Sequence, residues 1–322
     1  MQKKYIFFDT QDLNSLHDIS MILSNSLLVE NASVSVPPYS LSMLINIPNN
    51  VAYLEGEVLY IKGINPLTDL ISYIKFIHNL LEPFKLKFVL KETIVLPKRS
   101  ALQAFEKDII KVYRLRSVFS ANLERCMNHL LFKKFEEVVF EHSYKMCIDD
   151  DKTQFQPLKT FEYACVGGTF DHFHLGHQLL LTASLCVTSK KLLIGVADGP
   201  LLDKKEYKEY IQPYEIRSSV VEAFCKLVCP ELTVDIQRIF DPVGPAATEE
   251  KLQACILSME TEKSINMINE ARTKNRLAPI QACTIELVND RADSPSSIQS
   301  KKISSTYFRM KEASNAEIAR RE

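Results

Sequence analysis

Gly167-Gly168-Thr169-Phe170-Asp171-His172-Phe173-His174-Leu175-Gly176-His177 is the stretch that decides how this chain reads. It holds three of the eight glycines and three of the seven histidines in 322 residues. Before it stands the apolar run Tyr163 to Val166, a strand candidate, and after it a helix is expected over Leu175 to Val187, with Leu179, Leu180, Ala183 and Val187 at helical spacing. A strand, a glycine-rich turn and a helix follow in that order. Further on, Leu192 to Ala197 is a continuous apolar run of the kind buried on both faces of a parallel sheet. A helix over Glu215 to Val228, strands over Leu232 to Ile239 and Ala254 to Met259, a helix over Lys263 to Leu277 and a strand over Ala282 to Val288 complete the pattern. Alternating strands and helices predict an α/β, doubly wound parallel sheet whose ligand lies at the carboxyl ends of the strands, where the histidine loop begins.

The loop invites a metal, a phosphate or plain packing. A zinc site needs three or four converging ligands, and a turn entering a helix presents at most two of these imidazoles on one side, so no metal ligand is assigned. A phosphate explains more of the residues. Gly167, Gly168 and Gly176 let backbone N–H groups and a ligand approach closely, and the helix start offers free donors and a positive dipole end. His174 and His177, three apart, share a face of the first turn. There they can stabilise charge developing on phosphate oxygens, with the Thr169 hydroxyl beside them. His172 is expected to be a bystander.

Composition narrows the field. Hydrophobic content of 46% and charged content of 25% are those of a folded soluble protein, and a net charge of −1 gives no global field for nucleic acid or an anionic membrane. The eight cysteines are scattered, several within apolar runs, as expected of small buried hydrophobes in a reducing compartment. Cys225 and Cys229 are four apart, without CxxC spacing. The apolar run near the N-terminus is too short for a signal peptide, and none approaches the ~20 residues that span a bilayer. A cytoplasmic protein is expected, open to the nucleus as well.

The polar stretch Ile148-Asp149-Asp150-Asp151-Lys152-Thr153-Gln154-Phe155-Gln156-Pro157 suggests a boundary. The expected domains are an N-terminal α/β domain over 1–148, a linker over 149–160 and a nucleotidyltransferase domain over 161–322. In the first domain, β-rich runs near 51–63 and 86–96 alternate with helical candidates at Leu67 to Leu81 and Ala101 to Glu136. It carries no glycine-rich loop, paired carboxylates or His/Cys cluster, which leaves docking, regulation or stabilisation as its role.

The loop resembles the HxGH motif of the nucleotidyltransferase superfamily. GGTFD before it, then GVADGPLLDKKEY, IQPYEIR, DPVGP, ETEKSINMINEARTKNRL and KISSTYFR in order, are similar to the phosphopantetheine adenylyltransferases of eukaryotic, monofunctional, fungal-like type. The likeness covers about Phe161 to Glu312. It implies transfer of the adenylyl group of ATP to 4′-phosphopantetheine, the penultimate step of coenzyme A biosynthesis, with Mg²⁺ held mainly by substrate phosphates. It further implies His174, His177, Thr169 and Lys205 as catalytic groups. ATP would be held by Gly168, Thr169, Phe170, His174, His177, Arg272, Ser304, Ser305 and Thr306, and the second substrate by Thr169, Lys204, Lys205 and Lys263. Of the two adjacent lysines, Lys205 is favoured. Lys263 stands where the family often has arginine, exchanging a bidentate fork for a point charge.

Two other activities share the motif. A cytidylyltransferase acting on a phosphorylated alcohol normally carries an RTxGIS-type segment where this chain has KKISST; a tRNA synthetase would carry KMSKS and an anticodon-binding extension. A third possibility is a chain acting chiefly as a scaffold for coenzyme A enzymes. No GxxxxGK[ST] loop occurs, so a dephospho-CoA kinase would be a separate partner.

Overall fold

The computed structural model describes residues 155–285 and 304–319 continuously, and before them a set of strands together with helical positions 71–72 and 74–75. The chain divides into two compact units, Met1–Leu158 and Lys159–Glu322.

The first unit contains β1 (Lys3–Asp9), β2 (Ser40–Asn46), β3 (Ala52–Glu55), β4 (Val58–Lys62), β5 (Leu90–Leu96), β6 (Ile109–Ser117), β7 (Glu136–His142) and β8 (Phe155–Pro157). Five of these form a sheet in the order β5-β2-β1-β6-β7, every neighbouring pair parallel. A small antiparallel sheet, β3-β4-β8, accompanies it. The β-rich runs of the sequence became β3, β4 and β5. The helix expected over Ala101 to Glu136 is corrected: Ile109–Ser117 is a strand between β1 and β7. Ile109, Ile110, Val112 and Tyr113 are side chains that fit a pleated surface, and sheet pairing on both sides overrides the helical pattern. Phe155–Pro157, inside the polar stretch, is the third strand of the small sheet.

The second unit is built from β9 (Phe161–Gly168), α1 (Leu175–Cys186), β10 (Thr188–Ala197), α2 (Tyr214–Val228), β11 (Thr233–Ile239), β12 (Ala254–Ser258), α3 (Ser264–Lys274), β13 (Gln281–Ile285) and α4 (Ser305–Ala319). Its sheet is parallel throughout, in the order β11-β10-β9-β12-β13. The expected strand over Ala282 to Val288 is β13 as far as Ile285; residues 286–288 lie outside the described residues.

Chain order reverses at β9, so the crevice between β10 and β12 opens where β9 ends. That is the topological switch point at which open α/β sheets take their ligands. The core is the sheet's middle: Leu192, Ile194, Val196 and Ala164 are 0% exposed. One face is covered by α1, buried from Leu179 to Cys186. Each fully buried leucine there contributes roughly 1.5–3 kcal/mol. The buried hydroxyls of Ser184 in α1 and of Thr188 at the start of β10 are satisfied locally, Ser184 on the Leu180 carbonyl and Thr188 on the Ser184 carbonyl. Cys165, Cys186, Cys225, Cys229 and Cys255 are buried thiols outside any disulfide, and Cys283 is half-buried. Burial first, then the neighbouring Cys229, pushes the Cys225 thiol up to about 12, an inert packing residue.

Candidate active site

The loop after β9 is held in a conformation its residues would not adopt alone. Phe170 and His172 both have left-handed backbones, φ +51° and +45°. For side-chain-bearing residues such conformations persist only where the surroundings impose them. Phe170 is fully buried, its ring centroid 5.4 Å from that of His177. A Cβ on Gly168 would come within 3.1 Å of the Phe170 ring, so glycine is required for this turn to close. His172 donates its backbone N–H to Gln212 Oε1 at 2.9 Å, places Nε2 3.2 Å from the Tyr210 carbonyl and stacks on Phe308. It anchors the loop, and beside it His174 and His177 form a stacked pair.

His174 is extended, φ −134° and ψ 175°, and caps α1: its Nδ1 accepts the Gly176 N–H at 3.1 Å. Histidine takes here a role usually filled by serine or aspartate. That bond fixes the tautomer, because a nitrogen that accepts carries no proton. The proton is on Nε2, which lies 3.5 Å from Ser305 Oγ. The Ser305 hydroxyl is itself committed to the Asp171 carbonyl at 2.8 Å, so Nε2–H is the donor between α1 and α4. The two imidazoles stack with centroids 3.9 Å apart. Burial pushes His174 down to about 4, against the opposing pull of Asp171, with His172 lowering it further. His177 is driven well below its ordinary value by burial, then by His174 and Lys205, and its Nδ1 is buried without a hydrogen-bond partner. Both rings are neutral donors at pH 7.

Ser304, Ser305 and Thr306 open α4 against this loop. Ser304 Oγ accepts the Tyr307 N–H at 3.3 Å, an ordinary N-cap, while Ser305 reaches Asp171. Thr306 Oγ1 accepts from Arg309 Nη2 at 3.0 Å. Lys205 stands in the loop after β10, and burial and the charge of Arg309 depress its ammonium. Its charge is felt at His177, so of the two lysines singled out it is Lys205 that couples to the histidines. Lys204 is exposed.

Three residues central to this arrangement were not among the expected site residues. Asp171 is 0% exposed and accepts Gln212 N–H on Oδ1 at 2.9 Å and Arg309 Nη1 on Oδ2 at 2.6 Å. Arg309, 2% exposed, also donates Nε to the Glu206 carbonyl at 2.9 Å. Arg217, 1% exposed, donates to the carbonyls of Thr169 and Ala197, each at 2.8 Å, and to the carbonyl of Gln212, joining the ends of β9 and β10. Asp171 lies in the GGTFD run and Arg309 ends KISSTYFR, but no local pattern pairs residues 138 apart.

Arg272 and Lys263 stand elsewhere. Arg272 is 1% exposed and donates to the carbonyls of Ala278, Ala246 and Glu249 at 2.7–2.8 Å. Through Nε and Nη1 its guanidinium braces the turn after β11 against the end of α3. Lys263 is exposed before α3 and its side chain caps nothing. Beside Gly167 and Gly168 a cavity of about 170 Å³ opens, lined by apolar groups including Leu193, Ile239, Leu257 and Ile268 and by Cys165 and Cys255.

The cytidylyltransferase-like family model matches residues 165–311, from within β9 into α4. Phosphopantetheine adenylyltransferase of Saccharomyces cerevisiae is 34% identical over 149 residues, 46% of this chain and 48% of that protein. Phosphopantetheine adenylyltransferase of Pyrobaculum aerophilum is 35% identical over 132 residues, 40% of this chain and 83% of that one.

The chain belongs to the phosphopantetheine adenylyltransferase family.

A further phosphopantetheine adenylyltransferase, of Thermococcus gammatolerans, is 34% identical over 151 residues, 47% of this chain and 89% of its own length. Alignment with the yeast phosphopantetheine adenylyltransferase spans about half of that relative. The residues matched by the family model, 165–311, include the end of β9, all of the histidine loop and the start of α4. No helix among the described residues is long and apolar enough to cross a membrane.

Proposed function

We propose that residues 161–322 transfer the adenylyl group of ATP to 4′-phosphopantetheine, giving dephospho-CoA and pyrophosphate, while residues 1–148 stand outside the chemistry. The observation that carries this reading is the stacked, neutral pair His174 and His177 at the start of α1, facing Ser305 across the gap to α4, with the charge of Lys205 beside it. An oxygen of the pantetheine phosphate attacks the α-phosphorus in line. As that bond forms, the bond from the α-phosphorus to the bridging oxygen breaks and pyrophosphate leaves with the electron pair. No protein nucleophile is required.

Catalysis is then positioning and charge stabilisation. Neutral imidazoles present N–H donors without giving up a proton, and Lys205 supplies the positive charge. The Thr169 hydroxyl, at a residue whose carbonyl Arg217 fixes, and the hydroxyls and N–H groups of Ser304, Ser305 and Thr306 take the remaining phosphate oxygens. Gly168 and Phe170 shape the turn on which these groups stand. The apolar cavity beside the glycines suits the pantetheine arm. Magnesium would enter with ATP and neutralise the triphosphate; both oxygens of Asp171, the loop's carboxylate, are already hydrogen-bonded within the protein. The same reading calls for a separate kinase to consume dephospho-CoA, and for the cytoplasm or nucleus, where that pathway's intermediates would reach the site.

Pyrophosphate release is measured with Mg²⁺, 4′-phosphopantetheine and either ATP or CTP. Release with ATP alone supports the reading. Release with CTP alone makes the chain a cytidylyltransferase, and release with neither from folded protein removes the assignment.

A further inference from the structure

We propose that Asp171 and Arg309 form a positioning pair that assembles the three phosphate-handling segments into one site. The inference rests on the adenylyl-transfer reading for its kinetic consequences, not for its structural ones. Three pieces of chain, far apart in sequence, must meet here: the histidine loop, the Lys205 loop and the start of α4. The sheet sets the first two side by side, because β9 pairs with β10, but α4 follows the last of its described strands and is not part of it. The pair touches all three.

Arg309 uses each part of its guanidinium on a different piece. Nη1 meets Asp171 Oδ2 at 2.6 Å, Nε donates to the Glu206 carbonyl, next to Lys205, at 2.9 Å, and Nη2 donates to Thr306 Oγ1 at 3.0 Å. The last bond occupies a lone pair of Thr306 and leaves its hydroxyl proton free to point at a phosphate. Asp171 uses Oδ1 on the backbone N–H of Gln212, which closes the Lys205 loop, and its carbonyl takes the Ser305 hydroxyl at 2.8 Å. Ser305, so oriented, is the group that faces His174 Nε2. Exposure of 0% and 2% keeps water and salt from screening the pair.

Arg217 has Asp198 at 3.3 Å, but Lys205 and Arg309 would converge with little to hold them, and Asp171 is the fully buried carboxylate beside them. It supplies the compensating charge before any phosphate arrives.

A lysine at 309 separates positioning from simple support. Arg309→Lys keeps the ion pair with Asp171 but cannot also reach Glu206 and Thr306. In the full chain, amide hydrogen exchange should then accelerate over residues 203–212 and 304–308 by about tenfold or more, with β9, β10 and β12 unchanged. The KM for ATP should rise about tenfold or more, with a smaller fall in kcat. Asp171→Asn, which keeps an acceptor for Gln212, should accelerate the same two segments and residues 168–174 as well. Unchanged exchange in Arg309→Lys overturns the proposal, and so does uniform acceleration across the unit, which would mark the arginine as mere support. If the wild-type chain releases no pyrophosphate while exchange accelerates as described, the positioning pair stands and the adenylyl-transfer reading falls.

Discussion

The two units carry the same sheet. In chain order the strands of the first run third, second, first, fourth, fifth across β5-β2-β1-β6-β7, and those of the second run identically across β11-β10-β9-β12-β13. Every pair in both is parallel. Each therefore has a switch point at the end of its first strand. The sequence at the end of β9 is GGTFDHFHLGH, whereas the sequence that follows β1 is Thr10-Gln11-Asp12-Leu13-Asn14, with no glycine and no histidine. A shared topology places a crevice, and the loop that fills it decides whether chemistry follows.

The strongest way to break the contrast is to remove what the second loop has. In the full chain, His177→Ala should lower ATP-dependent pyrophosphate release by about 10²–10³-fold, the usual cost of one preorganised donor, with an unchanged circular dichroism spectrum. Near-normal turnover would make the two loops equivalent.

Next in size is a change that should damage the fold and spare the chemistry. Arg272→Met leaves the carbonyls of Ala278, Ala246 and Glu249 without their buried donor, a loss of about 3 kcal/mol in urea unfolding at roughly 1 kcal/mol for each bond. The KM for ATP should stay within about threefold, which is under 1 kcal/mol. A large KM effect with intact stability would return Arg272 to the phosphate site.

A smaller effect comes from acid. His174, held down to about 4, and His177, also depressed, take up protons less readily when folded than when unfolded. As pH falls below about 6.5 the unfolded state binds protons first, so stability present above that pH is lost progressively toward pH 4, by about 1.4 kcal/mol per unit for each fully depressed group. Urea midpoints at pH 7 and pH 5 test this, and His174→Gln should flatten the dependence.

The least effect is expected at the equivalent place in the first unit. Asp9→Ala, at the end of β1, should leave turnover within about twofold of wild type, as expected if residues 1–148 stand outside the chemistry. A large loss would give that switch point a share in the reaction.

What could be read from the sequence was local. The strand, the turn and α1 around Gly167 to His177 follow from apolar periodicity and glycine placement within about twenty-five residues, and the helices and strands to Ile285 follow the same way. The site's frame was not local. Asp171 with Arg309, and Arg217 with the Thr169 carbonyl, join positions 138 and 48 residues apart, and an arginine inside a helix looks alike whether it faces water or a buried carboxylate. Arg272, expected at ATP, places Nε and Nη1 on three backbone carbonyls, bonds that its place in the sequence did not suggest. At Ile109–Ser117 the pairing of β6 on both sides outweighed the helical pattern that its neighbours suggested.

The contact of Arg309 with Asp171 has a consequence for the order of events during synthesis. Every strand of the second sheet precedes residue 286, so the sheet can form while α4 is still inside the ribosome. The histidine loop is then present without Ser305, Thr306 and Arg309, its left-handed turn lacking two of its supports. A nascent chain can thus form this sheet before its candidate site is assembled, which waits for α4.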